Sequence, residues 1–200
     1  DWWLQTSTNL TTWRTLTNFG TLLSGNETNA PWRSAGTEST SPTYYRALQT
    51  DGLYDPGLFR TISLIYTQAN AAVFSNAMHV ARATGSNIYL PLLWLDNGAT
   101  NQHIGARFKG NSSYNGLRRS INLDIDFGIT NADLMGFTTV NLNNAFGDET
   151  VMREPLYFTV MSQYTPCPEG AMCHVYFNGA PWSVYSLVQQ ENNQHIKQWF

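Results

Sequence analysis

The sequence predicts an α+β domain, a mostly antiparallel sheet with two packed helices, preceded by a small all-β module. Three observations predict it. Short apolar or alternating runs recur between residues 59 and 188, bounded by Gly, Pro, Asn or Asp. Two longer stretches, 69–83 and 149–163, read as helices. Residues 1–50 stand apart, with WWLQTS and TNLTTWRTLTNF, a Gly/Asn/Ser/Thr/Pro-rich segment to Pro42, and then YYRALQT.

In the first segment, aromatic and β-branched runs between turn residues read as strands, with Trp13 and Tyr45 expected in a small core. A module of 1–50 has little interior, so it is expected to lean on the 58–200 domain. DGLYDPG at 51–57 is a linker punctuated by Gly52, Pro56 and Gly57. Residues 59–66 (FRTISLIY) are a strand, and 69–83 (ANAAVFSNAMHVARA) are a largely buried helix stopped by Gly85. His79 within it reads as a surface or capped histidine rather than a ligand. Residues 88–95 (IYLPLLWL) form a strand in which Pro91 marks an edge or bulge, and Asn97-Gly98 signals a type I′ hairpin back into 102–109.

Residues 120–127 (SINLDIDF) alternate, with Ile121, Leu123 and Ile125 on one face and Asn122, Asp124 and Asp126 on the other. The two aspartates either chelate a cation or form a solvated acidic face. A short strand comes next at 138–142. Pro155 costs about 3 kcal/mol inside a helix but is welcome at its start, so the second helix is expected from Glu154 or Pro155, with Leu156, Val160, Met161 and Tyr164 buried. A last hairpin joins 173–177 to 182–188 through Asn178-Gly179.

Composition narrows the function classes. Of 200 residues, 42% are hydrophobic but only 12% charged, half the ~25% of an average domain. Asn and Thr carry the polarity, which suits an extracellular protein or one that packs against copies of itself. A net charge of −3 leaves no basic footprint for nucleic acid. No run of apolar residues is long enough to span a membrane. The chain begins at Asp1 with no signal peptide and reads as a processed product or a fragment. Cys167 and Cys173 can close a small disulfide loop in an oxidising compartment; the alternative is two reduced thiols near a turn. With no further cysteine, no metal site is expected. Sequons at Asn9, Asn26 and Asn111 arise by chance in so Asn- and Thr-rich a chain.

Three blocks carry the functional signal: RFKGNSSYNGLRR at 107–119, NLNNAFGDETVMRE at 141–154 and YFNGAPWSVYSLVQQE at 176–191. Together, in this order, they resemble the spore coat protein H (CotH) family of secreted, kinase-like proteins, over residues 58–200. The resemblance implies a kinase N-lobe-like layout for 58–200, incomplete because a C-terminal lobe is absent. It implies a nucleotide site drawn from Lys109, Asn111, Ser112, Arg119, Glu154 and Gln190. In kinase logic a helix glutamate orients a strand cation toward phosphates, which points to Glu154 with Arg119 or Lys109. The alternative for Glu154 is a helix-start acid favoured by the dipole. The family has lysine where Arg118-Arg119 stand, and arginine is not a neutral exchange there. Ser183 also departs from the family's turn, where a glycine is common. Val188–Glu191 falls where the family's hinge sits.

The family's catalytic and metal-holding acids come after this segment, beyond Phe200. ATP and Mg²⁺ are therefore expected of an intact parent protein and no cofactor of this chain. Two functions are open: the N-terminal part of a secreted atypical Ser/Thr protein kinase, inactive as these 200 residues, or a non-catalytic extracellular subunit of a filament, coat or adhesion. Self-association, or docking of a missing lobe, is expected through strand edges and apolar side chains uncovered between 182 and 200.

Overall fold

The computed structural model describes residues 2–8, 14–18, 44–49, 52–85, 88–96, 99–115 and 118–199. Trp13, the sequons at Asn9 and Asn26 and the Asn97-Gly98 turn lie outside them. The chain divides into two compact units, Asp1–Leu53 with Asp133–Gly136, and Tyr54–Ala132 with Phe137–Phe200.

In the first unit, β1 (Trp2–Ser7) pairs antiparallel with both β2 (Arg14–Asn18) and β3 (Tyr44–Gln49). Tyr45, expected in a core, is exposed, and so is Tyr44. Consecutive strand residues face opposite sides, so neither face of the sheet encloses them here.

In the second unit the expected α+β layout gives way to a closed barrel with three short helices. Its strands are β4 (Arg60–Ile65), β5 (Leu90–Asp96), β6 (Ala99–Lys109), β7 (Ser120–Asp124), β8 (Thr139–Asn143), β9 (Gly170–Phe177) and β10 (Ala180–Gln189). The order is β10-β8-β7-β6-β5-β4-β9, closed by β9 on β10. Every pairing is antiparallel except β4 with β9, where Arg60 lies opposite Cys173 and Leu64 opposite Phe177. That parallel seam turns an open sheet into a barrel, and its partners are too far apart in sequence for local patterning to reveal them.

Alternation does the rest. Ile62, Leu64, Leu92, Trp94, Ile104, Phe108, Ile121, Leu123, Val140, Leu142, Val175, Tyr185 and Leu187 are buried, and their registers put them on the inner face. Helix α1 (Ala71–Thr84) starts where Asn70 accepts a hydrogen bond from Val73 N at 3.0 Å and ends where Gly85 N donates to Ala81 O at 3.1 Å. It buries one stripe, Phe74, Met78 and Ala81, while Val73 and Val80 stay exposed, so it is less buried than its composition suggests. The Phe74 ring stacks on Tyr66 at 4.8 Å and lies 5.2 Å from Phe177, so the helix closes that end of the barrel.

Helix α2 (Arg153–Met161) starts next to the expected position but buries the other face. Leu156, Val160 and Tyr164, expected inside, are exposed, Tyr164 to 78%, and Met161 is half-buried. Pro155 and Phe158 meet the barrel instead. A Cβ at Gly170 would stand 2.9 Å from Phe158 and 3.4 Å from the Pro155 backbone, so the absence of a side chain on β9 sets which face docks. Helix α3 (Asn193–Trp199) was not expected; Asn192 Oδ1 caps it, accepting from Gln194 N and His195 N.

The Asn178-Gly179 hairpin is as expected, with φ of 49° and 79°. Its Asn178 side chain is bonded to both backbone groups of Tyr66, which ties the turn to the end of β4. The expectation of uncovered strand edges and apolar side chains between 182 and 200 is met in part: Trp182 and Ile196 are exposed, while β10 pairs with β9 over residues 180–188 and with β8 over 186–189. The expected Cys167–Cys173 disulfide is absent. Both thiols are free and buried: Cys173 points into the barrel against Tyr185 O, and Cys167 against Phe158 O. Among the described residues no helix is long and apolar enough to cross a membrane.

Candidate functional site

The outer face of β6, β7 and β8 carries polar side chains, with Asp124 and the exposed Asp126 at its end. Register places Arg107 opposite Asn122, Lys109 opposite Ser120, and Asn122 opposite Asn141. Asn122 and Asn141 are only 2% and 3% exposed, so the face read as solvated is largely covered. Their amides form a one-way chain. Tyr89 OH donates to Asn122 Oδ1 at 2.6 Å, Asn122 Nδ2 to Asn141 Oδ1 at 2.9 Å, and Asn141 Nδ2 to Gln190 Oε1 at 3.0 Å. Arg107 Nε joins at Asn122, 3.3 Å away. Each buried donor thus finds its acceptor on the next strand, which is what makes so polar a face tolerable. At its end Asp126 is exposed, while Asp124 is pushed up to about 6 by burial, by a hydrogen bond with Asp126 and by that group's charge.

Beside this chain lies a cleft of about 660 Å³, lined by Lys109, Gly110, Ser113, Asn143, Glu154 and Tyr157 among others. β6 delivers Lys109 at its last residue, and α2 delivers Glu154 in its first turn. Glu154 Oε1 accepts from Asn143 Nδ2 at 2.8 Å. Burial raises its pKa, against the opposing pull of Asn143, Lys109 and Ser186. Burial lowers that of Lys109, with Arg107 adding and Glu154 and Glu191 opposing. The two charges sense each other, yet no ion pair joins them and the ammonium has no hydrogen-bond partner among the described residues. A half-buried cation without a partner, facing a cleft, is chemistry suited to a phosphate oxygen.

The loop 144–152 forms the far wall and is strained. Ala145, Gly147 and Val151 have φ of 49°, 75° and 60°. For β-branched Val151 this is a costly conformation, held by Ser186 Oγ donating to Val151 O at 3.2 Å. Asp148 organises the loop. It accepts from Thr150 N and Oγ1 and from Arg153 N, the first residue of α2, and it pairs with Arg153 Nε at 3.6 Å. The Thr150 hydroxyl, with the backbone N–H groups and Arg153, holds its carboxyl below the usual range. Asn144 and Arg118 bind the loop to its neighbours. Arg118 donates to Asn144 O from two nitrogens and to Ser183 Oγ and Val184 O from the third.

Of the six expected nucleotide residues, the structure therefore brings Lys109 and Glu154 together at one cleft. Asn111 and Ser112 are exposed on the single 3₁₀ turn Ser112–Asn115 and its approach, and do not line it. Gln190 ends the amide chain, and Arg119 turns to the aromatic rings of Phe108 and Tyr114. The sequence reading placed Asn141, Asn143, Asp148 and Arg118 in the family blocks and Asn122 on a polar strand face, but gave none of them a role in the site. A signal was there: asparagine is a poor strand former, yet it recurs between buried aliphatic residues in INL and NLN.

No curated protein matches the chain. Residues 106–199, running from within β6 to α3, match the family model described as CotH kinase protein, in agreement with the resemblance carried by the three sequence blocks.

Proposed function

We propose that the cleft between Lys109 and Glu154 takes the phosphate groups of a nucleotide. The observation that carries this is the unpartnered, half-buried Lys109 ammonium facing a cleft whose other wall presents Glu154 and a strained loop. Lys109 would contact a phosphate oxygen, and Glu154, fixed by Asn143, would keep the ammonium in place. The residues fit phosphate but not Mg²⁺. Asp148 already accepts three hydrogen bonds and an arginine, and Glu154 faces Lys109; among the described residues no group of three His, Cys, Asp or Glu is set to hold a metal. No metal-dependent step is therefore drawn through this cleft, and the chain alone is expected to bind nucleotide without transferring phosphate.

Calorimetric titration with ATP tests this, with AMP as the control for phosphate count. ATP should bind more tightly than AMP, and Lys109→Ala should weaken ATP about tenfold, the value of a charge-assisted bond of roughly 1.4 kcal/mol. Equal affinities for ATP and AMP, or an unaffected Lys109→Ala, would defeat the proposal. Placement outside the cell is part of this reading, supported by the family resemblance and by the charge-poor, Asn- and Thr-rich composition.

A second reading, a non-catalytic assembly subunit, is favoured by the outer face of α2, where Leu156, Tyr157, Val160 and Tyr164 are exposed together. Light scattering across a concentration series separates the two: nucleotide binding by a monomer supports the first, and concentration-dependent growth without nucleotide binding supports the second.

A further inference from the structure

The cleft has a lip, the turn that runs from Gly110 through the 3₁₀ segment Ser112–Asn115. Two neighbouring residues of this turn face different partners. Ser113 lines the cleft, and its carbonyl accepts from Asn144 Nδ2 at 3.1 Å. Tyr114 is held by α1, through two side chains one turn apart. His79 Nδ1 is hydrogen-bonded to Tyr114 OH. Arg82 donates to Gly110 O at 2.6 Å, and its guanidinium lies 4.0 Å from the Tyr114 ring centre. Neither His79 nor Arg82 lines the cleft, and both precede the residues that match the family model. Their contacts reach the cleft through the turn that carries Gly110 and Ser113.

This contact is built around a neutral imidazole. The groups facing His79 are Arg82 on its own helix, Tyr114 on the turn and Arg119 ahead of β7. β6 offers it the Phe108 ring at 5.1 Å, with Arg107 and Lys109 on the opposite face of that strand. β5 carries no charged residue before Asp96, its last. Among the described residues no carboxylate forms an ion pair with Arg82 or Arg119. A positive charge on His79 would therefore meet two others without a counter-ion. Burial, and then the Arg119 charge, lower the His79 pKa from its ordinary 6.5. The fold thus favours the neutral form. Its contribution is complete above the ordinary value and is lost as pH falls from there through the lowered one. His79 is half-buried, so a proton reaches it without unfolding the barrel.

We propose that α1 is an acid-released latch on the cleft: with His79 neutral, His79 and Arg82 hold the turn 110–115 and so position Gly110 and Ser113 at the lip, and protonation of His79 frees the turn. That a freed lip weakens nucleotide binding rests on the nucleotide reading of the cleft; the release itself does not.

The test compares the parent, His79→Asn and Arg82→Gln at pH 7.5 and 5.0. Asparagine keeps a hydrogen-bonding amide near the Nδ1 position but takes up no proton. Amide exchange, expressed as protection over the intrinsic rate, follows the Tyr114 N–H that donates to Asn111 O. Nuclear Overhauser contacts follow the Tyr114 ring against α1. In the parent, Tyr114 protection should fall about fivefold at the lower pH, the contribution of one hydrogen bond, and the ring contacts should fade. His79→Asn should hold its protection within about twofold. Arg82→Gln should resemble the acid form already at pH 7.5. Calorimetry with ATP is the second arm. The parent's affinity relative to that of His79→Asn should fall about fivefold between the two pH values, a ratio from which the titrations of ATP, Glu154 and Asp124 cancel. The latch is overturned if parent protection ignores pH, if His79→Asn shows the same acid loss, if Arg82→Gln leaves the turn as in the parent, or if a parent that binds ATP shows an unchanged ratio. A parent that binds no ATP at either pH defeats the nucleotide reading instead, and the exchange data alone then decide the latch. His79→Asn is the independent variant if Arg82→Gln fails to fold.

Discussion

The amide chain across β7 and β8 makes a sharp energetic prediction. Replacing Asn122 by Leu removes the donor to Asn141 Oδ1 and strands a buried acceptor; replacing Asn141 by Leu strands Asn122 Nδ2 in the same way. A stranded buried polar group costs about 1–3 kcal/mol, on top of roughly 1 kcal/mol for the bond itself. Each single variant should therefore lose about 2–4 kcal/mol, a large part of the ~5–15 kcal/mol available to a typical domain. The double variant Asn122→Leu/Asn141→Leu removes both halves at once. It removes the bonds made by Tyr89 OH, Arg107 Nε and Gln190 Oε1, and all three residues are half-buried, within reach of water. Its loss should fall short of the sum of the singles by about 1–3 kcal/mol, a direct measure of coupling. Urea unfolding of the four proteins, extrapolated linearly and compared at constant m-value, reads this. Additivity within about 0.5 kcal/mol would refute the chain as a unit.

Other outcomes are expected from the same face and its surroundings. Arg118→Ala should destabilise by about 2–4 kcal/mol through lost charged hydrogen bonds to Asn144 O, Ser183 and Val184 O; Arg118→Lys should not restore it, since an ammonium cannot reproduce the fork. Glu154 has a folded pKa raised by burial, so ionising it disfavours the fold; as pH rises from the ordinary value of 4.5 through the raised one, the parent should lose stability relative to Glu154→Gln, and thermal melts that diverge the opposite way would contradict this. Asp126→Asn should lower the Asp124 titration from about 6, read by carbonyl NMR, with an unmoved midpoint counting against the shared hydrogen bond. Burial lifts the Cys173 thiol to about 12 and raises Cys167, so an aromatic disulfide reagent should react slowly in the native state and release two equivalents on denaturation; fewer would mean that the thiols are linked.

Local chemistry was legible where one residue dictates geometry. Asn178-Gly179 announced its hairpin because few other pairs accept two positive φ values in succession, and Pro155 fixed the start of α2 within a residue or two. Alternation correctly separated Ile121 and Leu123 from Asn122, but it could not say that Asn122 would be covered, since that depends on Tyr89 and Gln190 arriving from elsewhere in the chain. The buried face of α2 was misread for a related reason. Leu156, Val160 and Tyr164 form a plausible stripe, yet the docking face is decided by the bare backbone of Gly170 on another element. The Lys109–Glu154 juxtaposition came from the resemblance, and the position of Arg119 did not, because a strand end and the surrounding rings decide where its guanidinium turns.

The parallel seam has a consequence for synthesis. Arg60–Leu64 emerges from the ribosome long before Cys173–Phe177, the segment it must pair with. Until then β4 keeps one bare edge, with β5 covering only the other. The folded barrel covers this edge of β4, but the nascent chain displays it until β9 has been made. Aggregation of this protein is therefore decided during synthesis more than in the finished fold, and a chaperone that shields β4 during elongation should improve the yield of soluble protein more than any stabilisation of the closed barrel.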